Sequence, residues 1–458
     1  MTTQLPSPTS TRTRAALGAV LAADLALFAV LVQDTGYRHH AVVLYCVSVP
    51  VFVLATWLLA RSALSRRAAV ILIFGVGVVL QLIAVSKPTT TSDDDYRYLW
   101  DAKVQFAGID PYSYPPDAPA LARLRDGFLF PASPCPHPFP GGCTAINRPD
   151  VHTIYPPVAE GAFALIRAAS FGGHGQHLPV QLAGALGVIA IGWLLWRRAR
   201  VRGWPPWTVA LWLWCPLPIL EYSNAGHIDW LAVLLTVLAL SVAAIRRNAL
   251  AGLLLGAAIA TKIYPAVVLP AMLKRRPWVV LASAAGLVAV SYLPHVLAVG
   301  AGVLGYLPGY LQEEQYTSGG GLLLLGFVLP HPVDTLVGAV LIALVAWFVY
   351  RHADPDAPED GAVVIMGAAL LIATPAYGWY AGLLLALVVL SGALEWLPVA
   401  LAPTLAFLLR ADFGNSAYLS RLAYFVAALL ALCMFVLRRK GWDVLRGSGH
   451  DGVAVGAQ

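Results

Sequence analysis

The stretch "AAVILIFGVGVVLQLIAVSKPTTTSDDDYRYLW", residues 68–100, joins an apolar run to three consecutive aspartates. Residues 68–86 carry no charged side chain, and as a helix they are long enough to cross the about 30 Å hydrocarbon core of a bilayer. Asp93, Asp94 and Asp95 follow within a few residues of its end. The stretch therefore predicts a membrane span that delivers three carboxylates to the membrane surface.

The composition of the whole chain favours the same class of protein. Of its 458 residues, 59% are hydrophobic and 12% are charged, against about 25% charged residues in soluble domains. Apolar runs recur from Arg14 to Leu437. No small-residue cleavage site follows the first run, so we expect it to be retained as a helix rather than removed as a signal peptide. We expect an all-α integral membrane protein, a polytopic helical bundle.

The net charge of +6 is concentrated in short segments between the apolar runs. Lysine and arginine are enriched in cytoplasmic loops, so these segments predict the inner face and place the amino terminus inside. This distribution does not favour a nucleic-acid partner. The clusters are Arg12 and Arg14; Arg61, Arg66 and Arg67; Arg197, Arg198, Arg200 and Arg202; Arg246 and Arg247; Lys274 to Arg276; and Arg438 to Lys440.

Twelve spans and one re-entrant hairpin follow from this orientation. The hairpin, residues 249–273, is predicted because both of its ends are basic while its apolar stretch is too short for two crossings. It bends at "KIYP", and its first arm would carry Lys262 about 20 Å toward the outer leaflet. Residues 155–170 are expected to form an interfacial helix. The spans are predicted at residues 15–33, 41–60, 68–86, 178–196, 207–222, 229–245, 277–298, 333–350, 361–376, 379–394, 396–409 and 418–437.

The chain then divides into segments that alternate across the membrane. No repeat of 20–50 residues is visible, and "HADPDAPED" is predicted to be a solvated acidic loop on the inner face. The predicted segments are a cytoplasmic amino terminus (1–14), three spans (15–86), a large external loop with interfacial helices (87–177), core spans with the hairpin (178–298), a second external loop (299–332), further spans (333–437) and a cytoplasmic tail (438–458).

The aspartate triplet is predicted to begin a helix from Asp94 to Phe106. At helical spacing Asp94, Tyr98 and Asp101 share one face, and Arg97 with Asp101 forms an i,i+4 ion pair. One aspartate is enough to favour the positive end of a helix dipole. Three adjacent carboxylates repel one another, which raises the pKa of one of them and suits it to proton abstraction.

A second polar group, Glu221, His227 and Asp229 in "EYSNAGHIDW", is predicted on the same outer side. Its alternative interpretation is a set of polar residues exposed at a helix turn. Lys262 needs a partner, because a lysine near the middle of a membrane costs about 2.5–3.5 kcal/mol on insertion scales. A lipid-linked phosphate and a neighbouring carboxylate are both candidate partners.

Two of the five cysteines, Cys135 and Cys143, bracket "CPHPFPGGC" in the predicted external loop. A disulfide persists in that compartment, so we consider the two a candidate pair. A metal site with His137 is the alternative, although a fourth ligand is not apparent. Cys46, Cys215 and Cys433 are expected to be small buried apolar residues.

Two motifs of other chemistries, the Walker loop and G-x-S-x-G, are absent from the sequence. A donor carried in the membrane would need neither of these.

The order of "DDDYRYLWD", "GIDPY", "IYPP" and "ATKIYP" resembles the GT-C superfamily of polyprenol-phosphate-sugar-dependent glycosyltransferases. The likeness extends over roughly residues 68 to 395, and is strongest to bacterial α-mannosyltransferases of the phosphatidylinositol mannoside and lipoarabinomannan type. "NAGHID" and "TPAYGWY" support it. The resemblance implies a GT-C bundle in a bacterial plasma membrane, with an extracytoplasmic site. It also implies a polyprenyl-phosphate sugar donor, most readily of mannose, and a glycolipid or polysaccharide acceptor.

The resemblance also implies roles for individual residues. An aspartate of the first external loop is the general base; we assign it to Asp94, with Asp93 and then Asp95 as alternatives. Lys262 would stabilise the departing phosphate together with Arg97 or Arg148. No cofactor is required, although a divalent metal at the aspartates is an alternative. Further substrate-binding candidates are Tyr98, Asp101, Tyr155, Glu221, His227 and Asp229, and Tyr112, Trp379 and Tyr380 are candidates for stacking on sugars or anchoring at the interface.

One departure from the superfamily pattern is the position of this loop, which follows the third predicted span rather than the first. Two other functions are compatible with parts of the sequence. A transporter or flippase of a lipid-linked sugar would share the intramembrane lysine and broken helices, and a membrane scaffold would leave Lys262 unexplained. The carboxylate-rich external loop of roughly 65 residues favours the transferase.

Overall fold

The fold is an all-helical bundle, seen in a computed structural model that describes residues 8–33, 38–170, 176–314, 316, 321–413 and 417–440. Within these residues, eight helices are long and apolar enough to cross a membrane, and two three-residue strands form a small hairpin. The predicted all-α polytopic membrane class is confirmed.

The first half of the chain builds six helices and the hairpin. They are α1 (Pro8–Gln33), α2 (Arg38–Arg61), α3 (Arg66–Ala84), α4 (Asp94–Phe106), a 3-10 turn (Pro119–Leu124), β1 (His137–Phe139), β2 (Gly142–Thr144), α5 (Pro157–Ala169) and α6 (Leu178–Val201). Strands β1 and β2 pair antiparallel, with His137 opposite Thr144.

The second half adds nine longer helices and several short turns. The longer helices are α7 (Asp229–Ala244), α8 (Asn248–Ile259), α9 (Pro277–Val299), α10 (Leu307–Glu313), α11 (Val333–His352), α12 (Pro358–Ala373), α13 (Ala381–Ser391), α14 (Leu397–Phe413) and α15 (Ala417–Arg439). The short turns are Pro206–Val209, Ala210–Leu213, Pro216–Pro218, Ile219–Asn224, Tyr264–Val268, Leu269–Met272, Gly300–Leu304, Leu325–Val328, Gly378–Tyr380 and Leu394–Trp396.

The span predicted at residues 207–222 is wrong as a regular helix. The segment breaks into short turns and ends in a π-helix, Ile219–Asn224. Proline removes a backbone donor and clashes with the preceding turn, and Pro216 and Pro218 interrupt the run. The segment is buried inside the bundle, where irregular backbone is tolerated. Helix α13, with 11 residues, is also shorter than the span predicted at residues 379–394, so the total of twelve crossings stays a prediction.

The predicted hairpin bend at Lys262 agrees with the chain path. Helix α8 ends at Ile259, and short turns from Tyr264 to Met272 lead away from it. Helix α8 lies close against α9, because a Cβ atom added to Gly252 would lie 2.5 Å from the carbonyl oxygen of Val280. Small residues of this kind permit close helix packing in membranes. Helix α8, which leads to Lys262, is therefore packed closely on α9, and the re-entrant course of the hairpin stays a prediction.

The basic clusters converge on one end of the bundle. Arg198 and Arg202 contact the carboxylate of Glu359 at 2.6 and 2.5 Å, and Arg275 lies 2.7 Å from Asp356. The prediction of a wholly solvated acidic loop is wrong for Glu359, which is buried because it neutralises two arginines. Helix α3 starts at this end and leads to the aspartates, which lie at the other end.

The cysteines outside the loop differ from their prediction in two of three cases. Cys215 is buried, whereas Cys46 and Cys433 are exposed on the surface of the helices. An outward-facing thiol has little cost there, because lipid tails are as apolar as a protein core.

Candidate active site

A cavity of about 790 Å³ lies at the end of the bundle where α4 begins. Its polar lining residues include Asp93, Asp94 and Lys262. Its apolar lining residues include Leu307 and Leu370. The cavity can therefore accept a molecule with a charged head and an apolar tail.

Two of the three aspartates face this cavity and share one partner. The side-chain amide of Asn147 donates to Oδ1 of Asp93 at 2.6 Å and to Oδ1 of Asp94 at 2.8 Å. The ring of His137 lies 2.8 Å from the other oxygen of Asp93. Asp93 is thus held on both oxygens, while Oδ2 of Asp94 accepts no hydrogen bond from the residues that the structure describes.

Asp95 points away from the cavity. It is buried and pairs with the Nδ1 atom of His177, 82 residues along the chain. Burial raises the pKa of Asp95, and the contact with His177 works against that rise. The structure therefore gives Asp95 a supporting position, and the alternative that it is the base loses its geometric basis.

The hairpin β1–β2 presents His137 to Asp93. A disulfide joins Cys135 to Cys143, with 5.5 Å between their Cα atoms, and closes the hairpin. The candidate pair from the sequence is thus bonded in the structure. The crosslink leaves neither thiol free to bind a metal with His137.

Lys262 lines the cavity and has a carboxylate partner. Its Nζ atom lies 3.3 Å from Oδ2 of Asp229 and 4.9 Å from the centre of the Tyr155 ring. Asp229 is fully buried and lies behind the cavity wall. Of the two partners left open by the sequence, the neighbouring carboxylate is present, and the lysine still faces the cavity.

The predicted ion pair on α4 is present, but its members face different ways. The Nε atom of Arg97 donates to both oxygens of Asp101 at 3.0 and 3.2 Å, and Nη2 donates to the carbonyl of Val151 at 3.0 Å. Arg97 lines the cavity, whereas Asp101 and Tyr98 are buried beneath it. Direct substrate contact by Asp101 and Tyr98 is therefore not supported, because packing of α4 on α5 covers their face.

Glu221 and His227 also lie beneath the cavity rather than on its wall. His227 Nδ1 is 3.4 Å from Oε2 of Glu221, and its Nε2 is 3.0 Å from Ser92 Oγ and 3.9 Å from Oδ2 of Asp94. Burial works against the charged imidazole, yet Glu221 outweighs it and the pKa of His227 is raised. With Asp229, these residues surround the site without reaching the cavity, because the Ile219–Asn224 turn folds them inward.

Arg148 links the segment between α4 and α5 to α10 at the cavity. Its Nε donates to both carboxylate oxygens of Glu313 in α10, at 3.1 and 2.8 Å. Tyr306 donates to the same carboxylate at 3.0 Å. The guanidinium of Arg148 is therefore already paired, although it still lines the cavity.

Part of the chain is similar to one known protein family. Residues 153–375 match the model of glycosyltransferase family 87. Comparisons with curated proteins and with solved structures give no match. Together with the apolar helices, the family 87 match supports a membrane glycosyltransferase, and it favours transfer over the transporter alternative.

The family 87 match covers one side of the cavity and not the other. It includes Tyr155, Lys262 and Glu313 but begins after the aspartates of α4. The roles of Asp93 and Asp94 therefore depend on their geometry and not on this match.

Aromatic rings complete the cavity wall. Tyr155, Trp379 and Tyr380 line it, and the Tyr377 ring stacks on Trp379 with 4.4 Å between centroids. Tyr112, the remaining aromatic candidate, is buried and donates its hydroxyl to the carbonyl of Tyr155. It supports the wall and does not contact the cavity.

Within the described residues, no group of three or more His, Cys, Asp or Glu side chains is arranged to hold a metal ion. The metal alternative at the aspartates gains no support from this, and a reaction without a metal stays a prediction.

Sequence reasoning missed Asn147 and Glu160. Asn147 lies in a loop with no recognisable motif, and its role follows only from a contact across 54 residues. Glu160, in "VAEGAF", was the one charged residue in the first turns of a short apolar helix, and that isolation was its available signal.

Proposed function

We propose that the protein transfers a sugar, mannose in the first instance, from a polyprenyl-phosphate donor to a glycolipid or polysaccharide acceptor. The reaction would take place on the outer face of a bacterial plasma membrane. The observation that carries the proposal is a single cavity lined by Asp94, by Lys262 and by apolar side chains.

The cations and the apolar wall suit a lipid-linked phosphate. Lys262 and Arg97 both face the cavity, and each is held by a buried carboxylate. The prenyl chain would lie along the apolar wall formed by α10 and α12. Preorganised cations stabilise charge that grows on a leaving group, and they do so best where water is excluded.

Asp94 is the better placed of the two cavity-facing carboxylates to act as the base. It retains a free oxygen, whereas Asp93 is held by His137 and Asn147. Its charge also acts on the ring of Tyr155, and Lys262 lies over that same ring. Tyr155 lines the same cavity as both of these groups.

The proposed reaction is one inverting displacement. Asp94 removes the proton from an acceptor hydroxyl as its oxygen forms a bond to the anomeric carbon of the donor sugar. The bond between that carbon and the phosphate oxygen breaks, and its electron pair leaves with the polyprenyl phosphate. Trp379 and Tyr380 supply flat surfaces on which sugar rings can stack.

Transfer from radiolabelled polyprenyl-phosphate-mannose in membranes tests the proposal. Asp94→Asn keeps the shape of the side chain but removes the base, so we expect a loss of about 10²- to 10⁴-fold in rate. Asp150→Asn is the matched control, because Asp150 is exposed on the same loop and does not line the cavity.

Two results would overturn the proposal. Full activity in both Asp94→Asn and Asp93→Asn would remove the base. Absence of transfer by the wild-type protein from mannosyl, glucosyl and arabinosyl polyprenyl phosphates would remove the donor class.

A further inference from the structure

Two buried carboxyl groups lie together behind Arg97. Asp101 on α4 is 2% exposed, Glu160 on α5 is 1% exposed, and Arg97 itself is 5% exposed. Gln105, one helical turn after Asp101 on α4, donates to Glu160, so the two carboxyl groups lie side by side. Water therefore has almost no access to this group.

Each carboxyl group has a distinct set of donors. Asp101 accepts from the guanidinium of Arg97 on both oxygens. Glu160 accepts from the hydroxyl of Thr153 at 3.0 Å and from the amide of Gln105 at 2.8 Å. Within the described residues, Glu160 makes no ion pair. Two buried carboxyl groups therefore lie beside a single cation, Arg97.

A buried carboxylate without a cation is unfavourable, and such a group binds a proton instead. Burial raises the pKa of Glu160 well above its usual range, and the charge of Asp101 raises it further. Both residues lie on α4 and α5, outside the membrane-spanning helices. With one proton between them, the charges of Arg97, Asp101 and Glu160 add to zero.

We propose that Glu160 and Asp101 hold one shared proton, and that this proton keeps the group behind Arg97 neutral so that Arg97 can bind the donor phosphate. The inference rests on the proposed polyprenyl-phosphate donor. Glu160 does not reach the cavity, so it acts as a positioning residue through Arg97.

The other titratable groups that face Glu160 do not change this charge count. Tyr112 from the loop after α4 and Tyr292 from α9 both lie close enough to sense its charge. Burial raises the pKa of Tyr112, so it stays neutral where Glu160 titrates. On α4, the charged groups that act on Glu160 are Arg97 and Asp101.

Loss of the shared proton has a defined consequence for the donor. The pKa of Glu160 is raised by burial, so the proposed shared proton is present below that pKa and is lost as the pH rises through it. Two negative charges would then stand behind one guanidinium. The affinity for the donor phosphate falls, by up to about tenfold per pH unit above the pKa.

The test compares the full-length wild type with Glu160→Gln in lipid nanodiscs. Binding of undecaprenyl phosphate is measured between about pH 6.5 and pH 9.5, and the KM for the sugar donor is measured over the same range. Glutamine mimics the protonated side chain, so Glu160→Gln is expected to bind within about twofold of wild type at neutral pH and to lose the alkaline weakening. The ligand's own ionisation is the same for both proteins, so their difference isolates Glu160.

Two further variants sharpen the comparison. Asp101→Asn removes the neighbouring charge, so Glu160 can ionise beside Arg97 and the alkaline weakening should again disappear. Glu395→Gln, at the basic end of the bundle, is the control and should keep the wild-type pH dependence.

The inference is wrong if the affinity for undecaprenyl phosphate changes with pH in the same way for wild type and Glu160→Gln. It is also wrong if Glu160→Gln loses phosphate binding at neutral pH. If the wild type binds undecaprenyl phosphate but transfers no sugar, the proposed function fails and the binding curves still decide the inference. If the wild type does not bind undecaprenyl phosphate, both fail.

Discussion

At the scale of single residues, Lys262 pairs with a buried carboxylate and also carries the role proposed for it in transfer. A lysine whose side chain is only 14% exposed is costly, and its contacts with Asp229 and Tyr155 offset that cost. The carboxylate of Asp229 has no hydrogen-bond partner within the described residues, so the lysine is its main compensation. Loss of the lysine must therefore change both stability and chemistry, and the two effects need to be separated.

A pair of variants separates them. Lys262→Met leaves Asp229 buried and uncompensated, which lowers stability by about 3–5 kcal/mol, and it lowers transfer by about 10²- to 10³-fold. The double variant Lys262→Met with Asp229→Asn should recover the melting temperature in detergent without recovering transfer. Lys103→Met is the control, because its pair with Asp126 is partly exposed and outside the cavity. Recovery of transfer in the double variant would show that Lys262 is structural alone.

At the scale of elements, the irregular segment Ile219–Asn224 fixes the floor of the site. It carries Glu221, and the amide of Asn224 donates to the carbonyl of Ala84 at the end of α3 at 2.9 Å. Helix α6 approaches the segment closely, because a Cβ atom added to Gly184 would lie 1.7 Å from the carbonyl oxygen of Tyr222. A side chain at that position would force the two elements apart.

Gly184→Ala should therefore destabilise the protein by about 1–3 kcal/mol, as overpacked cores do. It should also lower transfer, because Glu221 and His227 support Asp94 from this segment. The control is Gly286→Ala on α9, where an added Cβ meets nothing within 4 Å, and there alanine should be neutral or stabilise the helix by up to about 1 kcal/mol. Thermal unfolding in detergent and the transfer assay measure both effects. Equal melting temperatures for the two variants would contradict the close approach.

Some of these elements can be predicted from the sequence and others cannot. Helix α4 runs from Asp94 to Phe106 as its charge and spacing predict, because local cap and periodicity signals determine it. The sequence predicts a regular span where this irregular segment lies. An apolar run alone does not show whether buried backbone is helical or irregular. Local spacing likewise predicted the Arg97–Asp101 pair. It could not predict the partner of Asp95 or the contacts of Asn147, which depend on packing between distant parts of the chain.

At the scale of the whole molecule, charge is distributed unequally between the two ends of the bundle. The arginine clusters and their acidic partners, such as Glu359 and Asp356, occupy one end, and the cavity opens at the other. Basic residues mark the cytoplasmic ends of spans. This distribution therefore agrees with an extracytoplasmic site and makes a direct test of sidedness possible.

Labelling of introduced cysteines tests that orientation. Asp150→Cys lies near the cavity and Asp354→Cys lies at the basic end, and both native side chains are exposed. In intact cells, a membrane-impermeant maleimide should label Asp150→Cys, whereas Asp354→Cys should react only after the membrane is permeabilised. The native chain in the same cells gives the background, since Cys135 and Cys143 are bonded to each other while Cys46 and Cys433 are free. If the labelling is reversed, the cavity faces the cytoplasm, and a donor on the outer leaflet cannot reach Asp94.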